Sequence, residues 1–237
     1  MVFRYFAGTK RRNRAGKALK DVKASDLFST RSNTFNTVRE VIESRRAVRK
    51  YIAKDVPDSV VYKLLEAAAH APSEGNQQPW EFIVVRDHIK KEHIVEACYN
   101  QNWMLQAPVF IVACTNMRLA RAIYGERGER LYGIQATAAA IQNLLLSAQS
   151  MGLSTCWIGS FSESKVAILT GCPDYIRPAG IITLGFGAEN PEPPMLQKAE
   201  DYIHIEEFGR TLLIESVIDQ KSPLGKGRSE VDYWAKS

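Results

Sequence analysis

Residues 131–151 carry the longest run of helical patterning in the chain, and almost none of it is suited to water. Ile134, Ala138, Ile141, Leu145 and Ala148 recur at helical spacing on one face, while Leu144, Leu146 and several alanines widen the apolar surface beyond it. A helix that is apolar nearly all round belongs in a core or an interface. It is not a membrane span, because Gln135, Gln142, Asn143 and Gln149 interrupt it. Other elements must therefore be layered around this segment. Gly152 supplies a C-cap, and the strand-like Leu153–Ile158 follows.

Shorter signals surround it. Phe35, Val38, Val41 and Ile42 predict a helix over 35–45. Pro57 opens a second helix with Val61, Leu64, Leu65 and Ala68 as its stripe, and Pro72 stops it. The β-branched runs 81–86 and 108–114 predict buried strands, with a helix over 88–99 between them. Further along, Ser162–Thr170 predicts a short helix and Ile181–Leu184 another buried strand. The segment Asn190–Pro194 is expected as a loop, and Asp201–Ile205 alternates like an edge strand. Helices and strands mingle without a repeating βαβ period, so the expected class is α+β. Gly185-Phe186-Gly187 is not a dinucleotide fingerprint, because Pro191, Pro193 and Pro194 preclude the helix that must follow it.

The 237 residues suffice for a substantial core. The net charge of +5 is concentrated at one end: residues 1–20 hold seven bases and no acid, leaving 24 bases against 26 acids elsewhere. A near-neutral body argues against a nucleic-acid-binding core. The basic arm is expected to be a flexible extension rather than an organellar transit peptide, being poor in serine and containing Gly8 and Gly16. Cys98, Cys114, Cys156 and Cys172 are scattered with no Cys-x-x-Cys pair, so buried reduced thiols in a reducing, cytoplasmic setting are expected. His88 and His93 stand on different helix faces and are expected near the surface, with no metal site.

Two polar stretches carry the chemistry. In Ser44–Tyr51, Arg45 and Arg49 are four residues apart and share a side, with Arg46 and Lys50 flanking them. Two guanidinium forks converging from one direction suit a terminal phosphate, whereas the plain alternative is a solvated basic turn. In Ala71–Trp80, the carboxamide of Asn76 offers a donor and an acceptor together, and Ser73 and Gln78 stand near it. The alternative for this stretch is a loop capped by its own side chains, with Trp80 packed in the core.

Together the two stretches resemble the N-terminal signatures of the nitroreductase family of FMN-dependent oxidoreductases, Arg-Arg-x-x-Arg followed by Pro-Ser-x-x-Asn-x-Gln-Pro-Trp. The second matches at every fixed position. Gly152–Phe161 resembles the family's later signature, Gly-Leu-Gly-Thr-Cys-Trp-Ile-Gly. The resemblance implies a three-layer α-β-α sandwich with a mixed central sheet of about five strands, assembled as an intertwined homodimer. It divides the chain into a basic extension (1–33), an FMN-binding domain (34–205) and a C-terminal extension packing on the partner (206–237).

By the same resemblance, FMN is held by Arg45, Arg46, Ala47, Arg49, Ser73, Asn76, Gln78, Ile158, Gly159, Ser160 and Lys198, with the Gly159 backbone N–H near flavin N5. The family usually has serine where Ala47 stands, so only a backbone contact remains there. The site is expected to draw its two halves from both chains, with Arg45, Arg49, Ser73 and Asn76 of one chain facing Trp157–Ser160 of the other across the same ring. NADH or NADPH would donate electrons, and a flat small-molecule acceptor would take them: a nitroaromatic, a quinone or a flavin. The alternatives are reductive dehalogenation or flavin fragmentation beneath a lid at residues 115–130, a nucleic-acid-associated flavoprotein working through the basic arm, and a flavin-binding regulator without turnover. No membrane association is expected.

Overall fold

The computed structural model describes residues 32–210, with side chains from Val38 onward. Most of the basic extension, and residues 211–237 of the C-terminal extension, lie outside the described residues. The described part divides at Pro191 into two units.

In the first unit five strands form one sheet: β1 (Tyr51–Ile52), β2 (Trp80–Val85), β3 (Val109–Asn116), β4 (Ser154–Ile158) and β5 (Ile176–Gly187). The strand β5 is central. Its middle pairs with β3 on one side and β4 on the other, its end pairs with β1, and β2 lies outside β3. Every ladder is antiparallel. The expected mixed character is confined to one isolated parallel bridge, Ala47↔Thr155.

The pleat sorts β3 between two cores. Val109, Ile111 and Ala113 face one cluster, which includes Val61, Leu64 and Ala68 of α2 (Asp58–Ala69) and Ile141, Leu144 and Leu145 of α5 (Gly133–Ser150). Phe110, Val112 and Cys114 face a second cluster, with Ile94 and Val95 of α3 (His88–Ala97) and Val166 of α6 (Glu163–Thr170). Helices on both faces of the sheet make the three-layer α-β-α sandwich.

Caps explain several boundaries. The Asp87 carboxylate accepts from Lys90 N–H at 2.8 Å and starts α3. Gly171, at φ 71°, ends α6. The helix α1 (Ser32–Ser44) leaves Val38 and Ile42 of its apolar stripe exposed. Trp80 is buried in the core, as expected. His88 and His93 are exposed and face Glu92 and Glu96 respectively.

Residues 115–130 hold a helix, α4 (Met117–Arg127), started by the Asn116 carboxamide accepting from Leu119 N–H at 3.0 Å. Gly125 breaks its regular geometry at φ 56°, and a single wide turn, Gly128–Tyr132, leads into α5. No helix among the described residues is long and apolar enough to cross a membrane.

In the second unit, residues 199–202 form a helical turn, α7 (Ala199–Tyr202), where an edge strand was expected. Glu200 and Asp201 lie in its first turn, where carboxylates favour helix over strand.

Candidate functional site

The arginine stretch leaves α1 and runs alongside β4. Arg46 turns back on its own helix: one guanidinium nitrogen donates to Glu43 O at 2.6 Å and Arg45 O at 2.9 Å, satisfying C-terminal carbonyls. The next residues dock on the sheet through the Ala47–Thr155 bridge and a 3.0 Å bond from Val48 N–H to Thr155 O. A single carboxylate oxygen of Glu189 then accepts from Arg49 N–H at 2.7 Å and Lys50 N–H at 3.1 Å. This clamp leaves both remaining guanidinium groups uncommitted to acids. Among the described residues, neither Arg45 nor Arg49 is paired with a carboxylate.

Arg49 and Arg45 converge electrostatically on β4. Burial pushes the Cys156 thiol pKa up, and the positive fields of Arg49 and Arg45 oppose that push. The guanidinium of Arg49 also lies 5.7 Å from the Trp103 ring centroid. Two guanidiniums without a carboxylate partner among the described residues thus stand on a backbone held from both sides.

Farther along β4 the strand ends at Ile158, which is buried, while Gly159 and Ser160 are exposed. A β-carbon at Gly159 would meet none of the described residues within 4 Å, so their packing does not require the glycine. The backbone beyond is anchored by Gln101, which donates to Ser160 O at 3.3 Å, and by Ser162 N–H to Ala97 O at 2.8 Å. Trp157 is 40% exposed and lies across Gly180, where a β-carbon would come within 2.5 Å of the indole nitrogen.

The Asn76 loop is wound against its usual preferences. Gly75, Asn76 and Gln78 all have positive φ, at 59°, 55° and 52°. The Ser73 hydroxyl accepts from Gln78 N–H at 2.9 Å, and the Gln78 amide donates to the Asn76 side-chain oxygen at 3.2 Å. Ser73 and Gln78 thus brace the loop, which is the self-capping alternative. The NH2 of Asn76, however, has no partner among the described residues. Gln77 Nε2 is also buried without a partner. Such strain and unmet hydrogen-bonding capacity cluster at binding sites.

One grouping differs from expectation. Arg45, Ala47 and Arg49 lie with Ile158, Gly159 and Ser160 along β4. The loop bearing Ser73, Asn76 and Gln78 leads into β2, which β5 and β3 separate from β4. Three inter-strand spacings amount to about 14 Å. Lys198 lies in the second unit, 3.3 Å from Glu200. Glu189 was missed by the sequence reading: it is one acid in a proline-rich loop, far in sequence from Arg49, and carries no local signal.

A cleft of about 800 Å³ lies elsewhere, lined by Arg118, Arg121, Glu163, Cys172, Tyr175 and Arg177 among others. It includes none of the expected cofactor residues. Beside it, Arg177 makes two 2.8 Å bonds to the Glu163 carboxylate. Among the described residues no cluster of histidine, cysteine or carboxylate side chains suits a metal ion.

The fold is thus a two-faced α+β sandwich with an arginine pair docked beside one strand and an open glycine at that strand's end. The nitroreductase family model matches residues 42–102 and 90–186, and the chain belongs to the nitroreductase family.

Among relatives, a Methanothermobacter thermautotrophicus protein with the provisional name NADH dehydrogenase/NAD(P)H nitroreductase is 36% identical over 175 residues, 72% of this chain and 87% of its own length. A Bacillus subtilis FMN reductase [NAD(P)H] is 26% identical over 224 residues, 85% of this chain and 89% of its own. Among solved structures, the NADPH:FMN oxidoreductase of Vibrio harveyi, complexed with NAD+, superposes with a TM-score of 0.69 at 26% identity. That match covers 75% of this chain and 80% of the other.

Proposed function

We propose that this chain is an FMN-dependent oxidoreductase that draws electrons from NADH or NADPH and passes them to a flat, electron-poor acceptor. Nitroaromatics, quinones and free flavins fit that description. The observation that carries this reading is the pair of acid-free guanidiniums, Arg45 and Arg49, held on β4 four residues before Gly159. Thr155, where the arginine stretch docks, and Gly159 are about 13 Å apart by the rise of a strand. That is a suitable separation for a phosphate at one end and a ring at the other.

FMN, when bound, would supply two-electron redox chemistry between the nicotinamide and the acceptor. Arg45 and Arg49 bind the phosphate bidentately, with the backbone of Ala47 beside them. The Gly159 N–H is the donor available near flavin N5. The free NH2 of Asn76 and its side-chain oxygen suit the hydrogen-bonding edge of the ring. Since the Asn76 loop lies about three strand spacings from β4, the loop that completes a site is supplied by a second copy, in a homodimer with two sites. Cytoplasmic residence suits a nicotinamide donor.

The test begins with the visible spectrum of the purified protein, followed by chromatography of the flavin released on denaturation. FMN that bleaches anaerobically with NADH or NADPH supports the reading. Recovery of FAD, or of no flavin after reconstitution, would sink it.

A second reading has a specific observation behind it. The segment carrying α4 approaches the Asn76 loop, where a side chain on Gly75 would come within 3.0 Å of the Tyr124 hydroxyl. An overhang there suits a specialised reaction such as reductive dehalogenation. Product analysis with halogenated and nitro-substituted phenols distinguishes the two.

A further inference from the structure

Two of the four cysteines, 58 positions apart in sequence, meet in the fold. Cys114 lies at the end of β3, fully buried, immediately after a register shift between Ala113 and Cys114. Cys172 follows the left-handed Gly171 that ends α6, and its backbone N–H is fixed to Ala167 O at 2.9 Å. Their sulfurs are 4.0 Å apart. Cys172 is half-buried and lines the 800 Å³ cleft, so one member of the pair is reachable from solvent and the other is not.

We propose that Cys114 and Cys172 are a peroxide-sensitive thiol pair, with Cys172 the sulfur oxidised first and Cys114 the sulfur that resolves it. The surroundings divide these roles. The Thr170 hydroxyl oxygen is 3.2 Å from the Cys172 sulfur, and Cys172 lines the cleft through which peroxide can reach it. Cys114 has no such opening, and burial pushes its thiol pKa well up. It therefore waits protonated until an electrophilic sulfur appears beside it.

The chemistry balances with hydrogen peroxide as the oxidant. The Cys172 thiolate attacks one peroxide oxygen and the O–O bond breaks. This gives a sulfenic acid at Cys172 and, after protonation, one water; sulfur has lost two electrons and peroxide has gained them. The Cys114 sulfur then attacks the Cys172 sulfur, the S–OH bond breaks, and hydroxide leaves with the Cys114 proton as a second water. The two thiols become one disulfide.

A bond of about 2.05 Å requires the sulfurs to close by roughly 2 Å from their 4.0 Å separation. The other two cysteines are internal controls. Cys98 and Cys156 are buried, and burial pushes the Cys98 thiol up to about 12.

The experiment treats full-length protein with hydrogen peroxide, caps free thiols with N-ethylmaleimide in denaturant, and maps peptides without reductant. The expected product joins the Cys114 and Cys172 peptides at a mass about 2 Da below their sum, both thiol hydrogens being lost. Cys98 and Cys156 should remain fully capped. Cys114→Ser should leave a Cys172 sulfenic acid that dimedone labels, and Cys172→Ser should leave Cys114 unoxidised.

Three results in wild-type protein overturn the proposal: Cys172 sulfinic acid beside a free Cys114 thiol, a disulfide involving Cys98 or Cys156, or four free thiols at a peroxide concentration that oxidises glutathione. The wild-type map decides even if a variant fails to fold. Flavin content does not enter the readout, so the outcome is separate from the proposed activity.

Discussion

Arg49 owes its position to the Glu189 carboxylate, which grips backbone N–H groups and leaves the guanidinium uncommitted. Arg45→Ala and Arg49→Ala should each weaken FMN binding by about 1.5–3 kcal/mol, as for a hydrogen bond to a charged group. That corresponds to roughly a 10- to 150-fold rise in Kd, measurable by flavin fluorescence titration. Unchanged affinity in the double variant would mean that the cluster is only a solvated turn. Glu189→Ala should weaken binding without touching the ligand, while Glu189→Gln, which keeps an acceptor oxygen, should retain most of the affinity.

A different residue pair sets an acid response. Hydrogen bonds from Arg177 hold the Glu163 carboxyl below the usual carboxylate range. A depressed folded pKa stabilises above the unfolded value and loses that contribution as pH falls through the folded one. Both side chains are nearly half exposed, so the effect is small, within about 1 kcal/mol. Thermal melts below about pH 4.3 should show it. Glu163→Gln should flatten that part of the profile, and an unaltered profile would remove the pair from the account.

Among the elements, α5 and β3 were legible because burial is written into their composition. Val109 to Cys114 are buried on both faces of the sheet, and the alternation that usually marks a strand gives way to a continuous apolar run. The arginine and Asn76 stretches were visible as motifs, since their residue types are local. Less legible were features set at a distance. The strand β5 extends to Ile176 because β3 pairs with it there, although Arg177 and Pro178 look unlike strand. The grouping of Arg45 with β4 depends on a bridge between residues more than a hundred positions apart.

Leu145, on a helix whose apolar surface suits either a core or an interface, is 3% exposed and packed within the chain's own core. Leu145→Ala should therefore cost about 2–5 kcal/mol of stability through the cavity it leaves. Urea unfolding checks this, with a lowered midpoint and an unchanged slope as the expected signature.

At the scale of the whole molecule, α1 leaves Val38 and Ile42 uncovered, and the outer side of α5 leaves Ile134, Ala138 and Leu146 half-buried. These surfaces suit a second copy, and obligate interfaces of this kind commonly exceed about 2,000 Å². Leu146→Glu is the better probe of such an interface than any change at Leu145, because it spares the internal core. The variant should sediment as a monomer and lose flavin together with the dimer. A wild-type monomer that keeps stoichiometric FMN would end the shared-site account and leave the flavin assignment standing.

The pairing of β1 with the end of β5 has a consequence for biosynthesis. Tyr51 meets Gly187, and the arginine stretch is held by Thr155 and Glu189, so its placement waits on residues made more than a hundred positions later. A ribosome-bound chain that has not yet released residue 189 has its arginines but nothing to hold them. The arginine stretch thus takes its place on the sheet only after residue 189 has emerged, and a chain cut before that position leaves it undocked.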